Sequence, residues 1–161
     1  MCWMCDHPKA TLADYADVVV QPMIDRFGWA VQSVDRTGIH APFSYTVGLT
    51  RRGLPELVIT GRGAAASARV LNAAARRLQQ QELPRPGELL EVQGRGFEVV
   101  ELSHPEAHLF VAIGLYGEDA VTALQLVWAD EQRRWPWERG HGGGRGGQPV
   151  LGPRARQVKV P

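Results

Sequence analysis

At 161 residues the chain has the length of about one domain, and its 44% hydrophobic and 22% charged residues are enough to close a core and too apolar for a disordered polymer. A formal net charge of +1 leaves no electrostatic footprint for nucleic acid or an anionic membrane surface. No apolar run approaches the roughly 20 residues of a membrane span.

The first residues read Met-Cys-Trp-Met-Cys-Asp-His-Pro, with no basic stretch followed by an apolar one, so no signal peptide is expected and the location expected is cytoplasmic. Arg far outnumbers Lys, and Ala and Gly are plentiful, a bias that suits a GC-rich bacterial genome.

Thr11 and Asp14 have the spacing of a capping box and open a helix in which Leu12, Tyr15, Val19, Met23 and Phe27 recur at helical spacing up to Gly28. Pro22 predicts a kink there, or a break into two short helices. Residues 29–34 read as a strand. After a turn at 35–38, Phe43, Tyr45, Val47 and Leu49 alternate with Ser44, Thr46 and Gly48 in a second strand, and 57–60 makes a third.

Residues 64–81 are rich in Ala, Leu, Arg and Gln, and predict the longest helix, with Val70, Leu71, Ala74, Ala75 and Leu78 along one side. Strands at 88–92 and 97–102 flank Gln93-Gly94-Arg95-Gly96 as a hairpin. Ser103 and Glu106 predict a second capping box and a helix to Tyr116, with a last strand at 121–129. From 131 to 161 Gly, Arg and Pro predict irregular structure. The expected fold is α+β, a single domain over 1–161, with a largely antiparallel sheet, two or three packed helices, a Cys/His leader at 1–10 and a long coil tail.

Several phrases are more specific than periodicity. They are Gly28-Trp29, Tyr45-Thr46-Val47-Gly48-Leu49, Pro55-Glu56-Leu57, Leu71-Asn72, residues 124–130, Trp135-Pro136-Trp137-Glu138 and Gln148-Pro149-Val150-Leu151. In this order they resemble the bacterial domain-of-unknown-function family 4262 over nearly the whole chain. The resemblance implies one compact domain and carries no activity with it. The Cys2/Cys5 leader looks like a feature of some members only.

Cys2 and Cys5, the only cysteines, are spaced so that both thiolates reach one metal from a single turn of backbone. His104 and His108, at i and i+4 on the expected helix, complete a Cys₂His₂ set for a tertiary zinc site, with His7 as an alternative ligand and Asp6 as a ligand or as an acceptor that orients one. Three other readings stay open: idle reduced thiols, a redox pair, and a terminal nucleophile at Cys2 if Met1 is removed. The redox reading is weakened if the first helix starts only at Thr11.

Gly142, Gly144 and Gly147 match G-x-G-x-x-G but follow no strand and open no helix, so a surface loop is expected and no nucleotide or flavin fingerprint is present. Trp128, Asp130, Trp135, Trp137 and Glu138 form an aromatic cluster that either offers a surface to a ligand or protein partner or pins the tail to the sheet.

Overall fold

A computed structural model describes residues 2–144 and 147–155. Met1, Arg145, Gly146 and 156–161 lie outside it, and with them the removal of Met1, the middle of the glycine run and the end of the expected coil.

Cys2 caps a single helical turn, α1 (Trp3–Asp6), ahead of the capping box. That box is present in full: Thr11 Oγ1 accepts from the Asp14 N–H, and Asp14 Oδ2 accepts from the Thr11 N–H. It opens α2 (Leu12–Tyr15), which passes through a π turn at Ala16–Val20 into α3 (Gln21–Phe27). The expected kink at Pro22 is thus a π turn just before it, in which the Gln21 N–H reaches the Ala16 carbonyl. Gly28, with φ 93°, ends the helix as expected.

The extra residue in the π turn rotates the helix, and the apolar stripe moves with it. Ala16, Val20 and Ile24 are the buried residues, whereas Leu12, Met23 and Phe27 of the expected stripe are exposed.

Six strands follow: β1 (Ala30–Val34), β2 (Phe43–Val47), β3 (Glu56–Thr60), β4 (Leu89–Val92), β5 (Arg95–Glu101) and β6 (Ala123–Trp128). They form one sheet in the order β1-β2-β3-β6-β5-β4. Every neighbouring pair is antiparallel except β3 with β6, where Leu57 stands beside Leu124. The fold is α+β with a largely antiparallel sheet.

Helix α4 (Ala64–Gln80) covers one face, burying Val70, Leu71, Ala74, Ala75 and Leu78 against Leu57, Ile59, Phe97, Val99 and Leu126. On the other face, α2, the π turn, α3 and α5 (Phe110–Tyr116) pack Ala16, Val20, Leu109 and Ala112 against Tyr45, Val47, Val58 and Ala123.

The helix expected from Ser103 to Tyr116 forms only in its second half, as α5, which ends at Gly117 as expected. A 3₁₀ turn at Pro105–Ala107 precedes α5, because the backbone at His104, His108 and Leu109 is non-helical. The expected Ser103 cap does not form, and Glu106 pairs instead with His104 Nδ1 at 3.0 Å.

The tail completes the second face. Gln125, buried in β6, donates to the Pro149 carbonyl and accepts from the Leu151 N–H. The Ser103 N–H donates to the Leu151 carbonyl, and Arg154 forms a two-pronged pair with the buried Glu98. No helix among the described residues is long and apolar enough to cross a membrane.

Candidate functional site

The two cysteines are exposed on α1, one helical turn apart, the Cys5 N–H donating to the Cys2 carbonyl. Their thiols separate in acidity: interaction with Cys5 lowers the pKa of Cys2, and the same interaction raises that of Cys5. The pair sits at the start of a single four-residue turn, before Thr11, with no strand ahead of it among the described residues. His7 is stacked on Trp3 with ring centroids 4.2 Å apart, and its Nδ1 lies 2.9 Å from the Trp3 carbonyl.

His104 and His108 flank the 3₁₀ turn and do not share a helix face. His104 is exposed beside Glu106, and His108 meets the edge of Phe43, where burial lowers its pKa. Among the described residues no three of His, Cys, Asp and Glu gather where a metal ion could be held, so Cys2, Cys5, His104 and His108 are not brought together as a ligand set.

The tryptophan cluster forms at the end of β6 and in the tail, and several of its contacts hold the tail down. Trp128 donates from Nε1 to the Thr60 carbonyl, while Gln148 bridges the Trp128 N–H and carbonyl like a one-residue strand. Trp135 and Trp137 stack with centroids 5.5 Å apart, and the Arg154 guanidinium lies 3.7 Å from the Trp137 ring. Glu138 caps the Trp135 N–H, and Asp130 accepts from Gln132, Arg134 and Gly142.

Two features were not anticipated as sites. One is a buried carboxylate. Glu56 is fully enclosed at the start of β3, where Oε1 accepts from the Gly48 N–H, the Thr50 N–H and the Thr50 hydroxyl. Oε2 accepts from Thr46 Oγ1 at 2.6 Å, and Thr46 Oγ1 accepts in turn from the Leu57 N–H. No cation approaches within salt-bridge distance among the described residues, and burial raises the carboxyl's pKa against those hydrogen bonds. Gly48 itself has φ 126°, and a Cβ there would come within 2.9 Å of the Gly28 carbonyl. Only glycine fits that approach. The Tyr-Thr-Val-Gly-Leu and Pro-Glu-Leu phrases thus form one hydrogen-bonded corner, and that corner packs on Gly28-Trp29.

The second feature is a groove of about 550 Å³ between α3, β1 and α4, lined by Met23, Phe27, Trp29, Val31, Asn72 and Arg76, together with Ala30 and Ala68. Trp29 Nε1 donates to Asn72 Oδ1 across 2.9 Å, which locks the indole against the helix and leaves the Asn72 amide nitrogen without a partner among the described residues. Met23 and Phe27 are 41% and 56% exposed, so the residues that the π turn swings out of the core become the groove's wall. Arg76 is exposed at its edge and joins no ion pair among the described residues.

An α+β domain with a six-stranded sheet, one long helix across one face and an open groove beside it is the class these features define. The chain belongs to the family described as Domain of unknown function (DUF4262), whose model matches residues 23–142. The match takes in the Glu56 corner and the groove and leaves out Cys2 and Cys5. No curated protein and no solved structure matches the chain.

Proposed function

We propose that the domain is a small-molecule binding module whose ligand has an apolar body and a carboxylate end and lies in the Trp29–Asn72 groove. The observation that carries this reading is the groove's division of chemistry. Met23, Phe27, Trp29 and Val31 offer apolar surface, and Arg76 with the Asn72 amide offers two donors. Its volume falls in the range of small-molecule pockets, which are apolar concavities with a few placed polar groups. Exposed Met and Phe beside such a concavity cost solubility unless something covers them. A fixed indole contributes area without losing rotamers on binding. In the tail, the rings of Trp135 and Trp137 are stacked on each other and Trp137 lies against Arg154, contacts that hold the tail together.

Octanoate is the probe, with octanol as its neutral counterpart, and titration is followed by calorimetry. Saturable octanoate binding is expected, abolished in Ala68→Trp, which puts an indole on the groove's lining, and weakened several-fold in Arg76→Gln. Octanol should bind Arg76→Gln and the native protein alike. No saturable binding, or equal binding by Ala68→Trp, refutes the reading.

A further inference from the structure

In the sheet order β1-β2-β3-β6-β5-β4, strands β1 and β4 are the two edges, and each turns a row of backbone groups away from the sheet. The β4 edge is guarded. It is four residues long, carries Glu91, and has the Arg77 guanidinium of α4 donating to the Glu91 carbonyl. The β1 edge is not. Its five residues, Ala-Val-Gln-Ser-Val, hold no charge and no proline. Their pairing with β2 runs from Ala30 beside Val47 to Val34 beside Phe43 without a bulge. No backbone hydrogen bond joins β1 to any element but β2 among the described residues.

The Trp29–Asn72 groove lies on that open edge. Trp29 and Val31 pack with α4 on one face of the sheet, whereas Ala30 belongs to the core of the other face, together with Ile24 of α3. All three of Trp29, Ala30 and Val31 line the groove. A concavity that meets residues of both faces crosses the sheet at its rim, so its floor is the outer backbone of β1 and its walls are the two helix layers. Antiparallel pairing turns the backbone groups of alternate residues outward, so either Ala30 or Val31 presents its N–H and C=O to the groove. Ala30 is buried and Val31 half-buried, and backbone groups left unmatched where water reaches poorly are costly.

We infer that the ligand of this groove is the C-terminal segment of a peptide, added to β1 as an extended strand with its carboxylate at Arg76. This rests on the groove reading above and names the class of its ligand. Main-chain hydrogen bonds to an open edge, with pockets for alternate side chains, are the means by which sheets take up peptides. Successive side chains of an added strand point to opposite faces, so one set meets Met23 and Phe27 of α3 and the other meets Trp29. At ~3.3 Å per residue, β1 offers room for about five residues. A fatty acid would use the apolar walls and leave the backbone floor unmatched. The lining carries one cation and no acid. A peptide C-terminus supplies the missing charge, whereas β1 of a second copy would bring a second Arg76.

The full chain is titrated by calorimetry with N-acetyl-Ala-Val-Ala-Val-Leu as the free acid and as its C-terminal amide. Two isomers of the acid, each N-methylated on one alternate set of peptide nitrogens, and octanoate complete the series. The acid should bind saturably, the amide at least fivefold more weakly, and Arg76→Gln should bind the two alike. One methylated isomer should lose at least tenfold in affinity and the other should not, because only one set of nitrogens faces β1. Amide hydrogen exchange should slow at every second residue of β1 with the peptide and stay unchanged with octanoate. Octanoate binding without peptide binding, or any other pattern from the methylated isomers, overturns the strand pairing and leaves the groove reading standing. Peptide binding that Ala68→Trp does not weaken overturns it as well, and failure of both octanoate and peptide removes both readings. A dimer in sedimentation with slowed exchange in β1 before any peptide is added identifies a second copy as the occupant and overturns the assignment.

Discussion

Trp29 and Asn72, 43 residues apart, are joined by one hydrogen bond from Nε1 to Oδ1 that ties the start of β1 to the middle of α4. The bond sets the angle of the indole, and the indole is the largest wall of the groove. Asn72→Ala removes the acceptor and leaves a half-buried N–H unpaired, at a cost of about 1–3 kcal/mol. Urea unfolding should show that loss, and octanoate affinity should fall together with it. Asn72→Asp, which keeps the acceptor, should recover the stability but place a negative charge in the groove and weaken octanoate binding further.

Glu56 makes the opposite demand on the fold, since it is buried and satisfied but has no cation. Glu56→Ala orphans two backbone N–H groups and two hydroxyls, each costing on the order of 1–3 kcal/mol when buried without a partner, so the variant is expected to be largely unfolded or molten by near-UV circular dichroism. Glu56→Gln keeps an acceptor at Oε1 and can donate to Thr46 Oγ1 from its amide, so it should fold. The pH dependence has a definite sign. Burial raises the carboxyl's pKa in the folded state above its unfolded value. Its contribution to stability is therefore fully present below the unfolded pKa and is lost as pH rises through the folded one. Unfolding free energy measured upward from pH 4 should fall more steeply for the native protein than for Glu56→Gln, and parallel curves would show that Glu56 does not titrate there.

The strands and α4 were legible because their signals are local. Alternation in 43–49, the Gln93-Gly94-Arg95-Gly96 hairpin signal, whose turn closes at Gln93-Gly94, and the run of helix formers from Ala64 are each short-range signals. The π turn was not, because it is a change of hydrogen-bond partner and not of residue type, and it turned the expected core residues Met23 and Phe27 outward. The first half of the helix expected at 103–116 failed for a related reason. A capping-box pattern was present at Ser103 and Glu106, but His104 offered Glu106 a nearer partner. The metal expectation joined residues by type alone, and residue type carries no information on whether distant segments meet. The groove was half legible: Gly28-Trp29 and Leu71-Asn72 stood out as phrases, but their pairing exists only in the tertiary fold.

Gln148 gives a sharper test of how the tail is held. Its side chain accepts from the Trp128 N–H and donates to the Trp128 carbonyl, so it satisfies both backbone groups at the end of β6. Gln148→Leu has similar bulk and neither bond, and it should cost about 1–3 kcal/mol per group left buried and unpaired. Hydrogen exchange at the Trp128 amide should then rise towards that of a surface strand, and the tail from Pro149 should become sensitive to protease. Glu138→Gln, which alters only an exposed cap on Trp135, should leave both measurements unchanged.

Asp130 makes the turn before the tail sensitive to acid. Burial acts to raise its pKa, but the N–H groups of Arg134 and Gly142 and the Arg134 guanidinium outweigh this and hold the carboxyl down at about 2. A folded pKa below the unfolded value means that the contribution is present above the unfolded pKa, near 4, and is lost as pH falls towards the folded one. Protonation would remove acceptor strength from three backbone N–H groups and the Arg134 pair at once, and these contacts, with the His141 Nδ1 contact to the Arg134 carbonyl, close the loop from Asp130 to Gly142. Trp135 and Trp137 lie within that loop, so their fluorescence should change between pH 4 and pH 2 before the far-UV signal of the sheet does. Asp130→Asn should show the acid-type fluorescence already at neutral pH and no transition on acidification. A single transition common to both signals in the native protein would mean that the loop and the sheet unfold as one unit.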